Sequence, residues 1–211
     1  MNRRLVLPGL ALAALALAGC STTTGGTANP ANPAATSGTP DSASSSADGG
    51  GGDGAPKVSS PLDPAKLKSD PCSVLSASQR STLGLEDGTP RSSSAGASCA
   101  WIYTGDETRS SRIDIAADPN TDGLAGIYDL YAKGGKDQYE YWEPADVSGY
   151  PAVYAATKDF RAQGQCKLLV GVTDTQAVQV FTQIGNGPGA TQPCPYAEKA
   201  AEAMIQTLKE G

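Results

Sequence analysis

Four widely spaced cysteines, Cys72, Cys99, Cys166 and Cys194, narrow what this chain can fold into. In an exported protein an even set of this kind reads as two disulfides, and no C-x-x-C pair points to a redox dithiol or a zinc knuckle. A fifth cysteine, Cys20, stands apart at the end of an apolar run. Cys72 and Cys194 each lie just before a helix signal, whereas Cys99 and Cys166 each open a strand signal. Bridges Cys72–Cys99 and Cys166–Cys194 would therefore each tie a helix start to the nearest strand. The chain-entropy model gives each such bridge roughly 3 kcal/mol. The other two pairings stay open at this level.

The element signals between these cysteines alternate. Ser76-Ala77-Ser78-Gln79 fits a capping box and Gly84 fits a helix stop, so a short helix is expected between them. Residues 99–103 and 112–115 read as strands around a polar turn near Gly105. Leu124, Ile127, Tyr128 and Tyr131 fall at helical spacing and are followed by Gly134-Gly135. Strands are expected over 151–156, 166–172 and 177–184, the last two joined by a turn at Asp174. Pro195 suits the first turn of a helix whose stripe is Ala197, Ala200, Ala201, Met204, Ile205 and Leu208. Neighbouring strands with short turns imply an antiparallel sheet, and the terminal helices need that sheet to bury their stripes. The expected class is α+β, an antiparallel sheet packed with N- and C-terminal helices and stapled by two disulfides.

The N-terminus has a different character. Arg3 and Arg4 precede an apolar stretch from Leu5 to Ala18, the layout of a signal peptide. At about 15 residues the stretch is shorter than the roughly 20 of a spanning helix. Leu17-Ala18-Gly19-Cys20 resembles the lipobox of bacterial lipoproteins. That resemblance implies cleavage before Cys20, a diacylglycerol on its thiol and acylation, palmitate-like, of the new amino terminus. Two or three acyl chains anchor stably where one is marginal. From Ser21 to about Ser60 the chain is nearly all Ser, Thr, Gly, Ala, Pro, Asn and Asp, too poor in apolar side chains to offset ordering entropy. The expected organisation is a signal peptide over 1–19, a lipidated Cys20 and tether over 20–60, and one extracytoplasmic domain over 61–211. Such a protein would sit on the outer face of the cell membrane.

Within that domain Asp70-Pro71-Cys72, Cys99-Ala100-Trp101, Gly149-Tyr150-Pro151-Ala152-Val153, the strand cysteine Cys166 and the helix-heading Cys194 resemble one group of sequences. These are uncharacterised actinobacterial lipoproteins grouped as a domain of unknown function, of the LprB and LprC kind. The resemblance covers roughly residues 60 to 210. It implies an envelope lipoprotein and brings no catalytic residues with it.

Histidine is absent, which removes imidazole bases, Ser-His and Cys-His dyads and the commonest metal ligand. The net charge is −6, and loss of the first nineteen residues would leave −8. No basic patch remains, so a nucleic-acid partner is not expected. Asp118-Pro119-Asn120-Thr121-Asp122-Gly123 fits D-x-N-x-D-G, and Asp129 falls where a calcium loop places its last carboxylate. Calcium on Asp118, Asn120, Asp122 and Asp129 is one reading, and a strand-to-helix turn is the other. Glu140, Glu143 and Asp146 could serve a carboxylate-dependent cell-wall hydrolase if two of them faced across a cleft, but a solvated acidic loop is the plainer reading.

Aromatics concentrate between Tyr128 and Tyr154. Tyr128 and Tyr131 are expected to pack a helix on the sheet, Tyr150 and Tyr154 to sit on a strand, and Trp101 to cover a disulfide in the core. Tyr139, Tyr141 and Trp142 follow two glycines in an expected loop and are candidate ligand contacts. The resulting expectation is a non-enzymatic, cofactor-free binding or sensor domain. Its partners would be the membrane, through the lipid, and an envelope ligand or protein.

Overall fold

The computed structural model describes residues 54–93, 96–119, 122–135 and 137–211. Cys20 and the segment before Gly54 lie outside the described residues, as do Asn120 and Thr121. Seven strands form one antiparallel sheet: β1 (Thr89–Ser93), β2 (Gly96–Ile102), β3 (Arg112–Ala117), β4 (Tyr141–Val147), β5 (Tyr150–Ala156), β6 (Gln165–Thr173) and β7 (Gln176–Gln183). Their order is β1-β2-β3-β7-β6-β5-β4, two meanders joined where β3 pairs with β7. Among the described residues four α-helices accompany them: α1 (Ala65–Ser69), α2 (Ala77–Leu83), α3 (Gly123–Leu130) and α4 (Cys194–Glu210). The fold is α+β, as the element pattern implied.

Local chemistry explains the helix ends. Ser76 Oγ accepts from Gln79 N at 3.3 Å while Gln79 Oε1 accepts from Ser76 N at 2.7 Å, the reciprocal pair of a capping box. Gly84 closes α2 in the left-handed region at φ 68°, where a side chain would be strained. In α4 the whole stripe Ala197, Ala200, Ala201, Met204, Ile205 and Leu208 is buried. Its three alanines keep that face thin, which suits close seating on the sheet.

Alternation along the strands divides the core in two. Leu168, Val170, Val178 and Val180 point to the α4 side, together with Trp101, Ile113 and the α1 residue Leu67. Leu169, Ala177, Val153 and Ala155 point the other way, where Leu124 and Ile127 of α3 cover them. Both disulfides form as paired above, Cys72–Cys99 and Cys166–Cys194, each with Cα atoms 5.1 Å apart. Trp101 is fully buried beside the first. A Cβ on Gly88 would stand 2.5 Å from both Cys99 Sγ and Trp101 Nε1, so only glycine fits against that pair.

Two expectations need correction. The folded part begins before residue 61: Ala55 packs beside α3, and Val58 is buried with its N–H donating to Asp174 Oδ1 at 3.1 Å. Residues 141–147 form strand β4 rather than a loop, and a further strand, β1, lies where the sequence pattern gives no strand signal. Both are edge strands and both contain a proline, Pro144 and Pro90. An edge tolerates the missing N–H that a central strand does not.

Candidate functional site

The sheet opens between β5 and β6. Their ladder holds only from Ala152–Val170 to Tyr154–Leu168, although β5 continues to Ala156 and β6 starts at Gln165. Past the last pair, the Lys167 N–H donates to the Tyr141 phenol oxygen at 3.3 Å. A side chain from β4 thus fills the place that the neighbouring strand has left. Burial pushes the pKa of that phenol up, which keeps it neutral. Around the opening lies a cleft of about 280 Å³, with Tyr139, Tyr141, Phe160 and Phe181 as its aromatic walls and Lys158 and Lys167 as its cations.

The loop that carries Phe160 is held in place by ion pairs. Glu140 accepts from Lys158 Nζ at 2.6 Å and from the Asp159 N–H at 2.8 Å. Arg161 donates to Asp159 Oδ2 and to Glu143 Oε1, each at 2.7 Å, and its guanidinium lies 4.2 Å over the Tyr141 ring. A 3-10 turn at Arg161–Gln163 and left-handed Gly164, φ 82°, complete the return into β6. A Cβ on Gly164 would collide with the Ile184 carbonyl oxygen, so this position requires glycine. The Asp159 N–H and then the Lys158 ammonium hold the Glu140 carboxyl below its usual range, and the Arg161 guanidinium does the same for Asp159. A glycosidase acid needs the opposite shift, upward. These carboxylates fasten the loop to the edge strand.

Of the expected ligand contacts, Tyr139 and Tyr141 line the cleft and Trp142 does not. Trp142 stacks on Tyr131 with centroids 3.9 Å apart and planes within 5°. It also meets Tyr128 and Tyr139 edge-on at 4.9 and 5.4 Å. It therefore ties α3 to the sheet and backs Tyr139 from behind. Tyr150 is buried on β5, and Tyr154 donates to Glu198 Oε2 at 3.2 Å, both structural positions. Phe160, Phe181 and Lys167 were not singled out from the sequence, because only the long-range β5–β6 opening gathers them.

The described carboxylates of the calcium reading do not converge. Among the described residues no group of three or more His, Cys, Asp or Glu is placed to hold a metal ion. Helix α3 begins at Gly123, so Asp129 sits about 9 Å further along its axis. There Asp129 Oδ2 accepts from Lys133 Nζ at 2.6 Å. Asn120 lies outside the described residues.

A larger groove of about 810 Å³ runs between α2 and α4. Its walls are mostly Ser, Thr, Gln, Lys and Glu, with charges of both signs. The polar atoms of Gln79 at its floor are already paired with Ser76 N, Thr207 Oγ1 and the Ala203 carbonyl. Small-molecule sites are mostly apolar with a few convergent polar groups, a description that fits the smaller cleft.

Fold and site together define a disulfide-stapled α+β domain with an aromatic cleft opened in its own sheet. Residues 15–207 match the family described as "Protein of unknown function (DUF3558)", and the chain belongs to that family. No curated protein matches the chain.

Proposed function

We propose that this protein is a lipid-anchored, non-enzymatic binding domain on the outer face of the cell membrane, and that its ligand occupies the β5–β6 cleft. The observation that carries the binding role is the cleft itself: four aromatic walls on a sheet opening, with the covering loop already fastened by Glu140, Glu143, Asp159 and Arg161. Pre-ordering of this kind lowers the entropy lost on binding. Support for the location comes from the lipobox-like Leu17-Ala18-Gly19-Cys20 and the polar tether after it. Two formed disulfides also suit an oxidising compartment. On this reading the protein is an envelope lipoprotein of the LprB and LprC kind, acylated at Cys20. The lack of histidine and the ion-paired state of the cleft-side carboxylates support a role without catalysis.

Mass spectrometry of the protein purified from its host membrane tests both halves. The expected result is a diacylglyceryl group on Cys20, loss of membrane association in Cys20→Ala, and a co-purifying small molecule that Phe160→Ala no longer retains. An unmodified Cys20 contradicts the anchor. A molecule retained equally by Phe160→Ala places the binding site elsewhere.

A further inference from the structure

We infer that the β5–β6 cleft takes a small anion with a flat apolar body, its acid group held at the Lys167 ammonium. The inference rests on the ligand-site reading above and adds the chemical class of the ligand. The protein as a whole is acidic, at −6, yet the cleft wall includes two lysines and no carboxylate. Lys158 is neutralised by Glu140 at 2.6 Å. Lys167 is half-buried, and none of the ion pairs found among the described residues includes its ammonium. Its backbone is fixed from both sides. The N–H is held by Tyr141, and the residue pairs across the ladder with Phe181. The cation therefore emerges from a rigid strand beside an aromatic ring.

The body of the ligand follows from the remaining walls. Phe160 is 46 % exposed, one of two large hydrophobic side chains so exposed among the described residues. It stands at the rim of the cleft, with Tyr139, Tyr141 and Phe181 as the other aromatic surfaces. Aromatic faces favour a flat apolar partner. At about 280 Å³ the cleft is at the small end of ligand sites, so it suits a fragment-sized molecule rather than a glycan chain or an acyl tail. A carboxylate on such a body would meet Lys167 in a partly desolvated place, where a charge-assisted hydrogen bond is worth more than at the open surface.

The matched probes 2-naphthoate and its neutral amide, 2-naphthamide, test this on the mature full chain by calorimetry and protein-observed NMR. The expected result is that naphthoate binds at least tenfold more tightly than naphthamide. Lys167→Gln should abolish that preference, Lys167→Arg should keep most of it, and Phe160→Ala should weaken both probes. Equal affinity for the two probes, with Phe160→Ala still weakening them, overturns the anion assignment and leaves the site in place. If neither probe at millimolar concentration moves the resonances of Phe160 or Tyr139, the ligand-site reading itself fails. Circular dichroism of each variant separates loss of binding from loss of fold.

Discussion

The Lys167 backbone N–H and the Tyr141 phenol oxygen meet at 3.3 Å across the gap where β5 leaves β6. One hydroxyl thereby closes a hydrogen bond that the sheet has left open, and the gap survives as a cleft instead of collapsing. Removing that hydroxyl leaves a part-buried donor without a partner, at a cost of about 1–2 kcal/mol. Tyr141→Phe should lower stability by about that amount in chemical denaturation, and the Lys167 amide should exchange faster with deuterium.

The fastened loop predicts a split between stability and affinity. Exposed ion pairs contribute at most about 1 kcal/mol, so Glu143→Gln should barely change the melting temperature. It should still remove the charged link from Arg161 to the edge strand and loosen the loop that carries Phe160, and any ligand of the cleft should bind more weakly. The pH sign follows from the depressed pKa values of Glu140 and Asp159. Their contribution to loop order is complete above the usual carboxylate range and is lost as pH falls through their lower folded values. NMR of the Asp159 amide, which donates to Glu140, should show its chemical shift moving only under those acid conditions.

Asp106 gives a second acid-side signature. Its carboxylate accepts from the Thr108 hydroxyl at 2.6 Å, from the Ser110 hydroxyl at 3.3 Å and from the Ser111 N–H. The Thr108 hydroxyl, then the Ser111 and Ser110 donors, lower its pKa from the usual 3.8 to about 2. Because the folded value is the lower one, the stabilisation is present above the unfolded pKa and disappears as pH drops toward 2. Asp106→Asn should therefore flatten the stability curve between about pH 4 and pH 2, as read by denaturation at each pH.

Each disulfide closes a loop of similar length, with sequence separations of 27 and 28. Replacing either pair by serines should cost about 3 kcal/mol. The Cys72 and Cys99 change should be the more damaging, because Trp101 and Gly88 pack directly on that bridge. Comparison of melting temperatures for the two double variants, with the wild-type protein under reduction as a reference, measures both effects.

What the sequence disclosed was whatever its local pattern controls. The α2 capping box, the α4 stripe and the strands β2, β3, β5, β6 and β7 were visible because their signals lie within a few residues. Strands β1 and β4 were hidden by Pro90 and Pro144, which read as breakers until the sheet order places both strands at edges. Tyr139 and Tyr141 stood out as clustered aromatics, but their roles differ from that of Trp142, which the Tyr131 stack covers. Phe160, Phe181 and Lys167 come from three separate segments, and no local spacing foretells where two paired strands will part. Likewise the sequence shows Glu140 and Glu143 only as an acidic cluster, whose plainer reading is a solvated loop. The fold turns them into partners for Lys158 and Arg161.

The central claim is that the β5–β6 opening is a ligand site, and a crystallographic screen of small aromatic acids soaked into crystals of the protein tests it most directly. The predicted result is density between Tyr139, Phe160 and Phe181, with an acid group within hydrogen-bond distance of Lys167 Nζ. Density gathered in the α2–α4 groove, or an empty cleft across the whole screen, would contradict it.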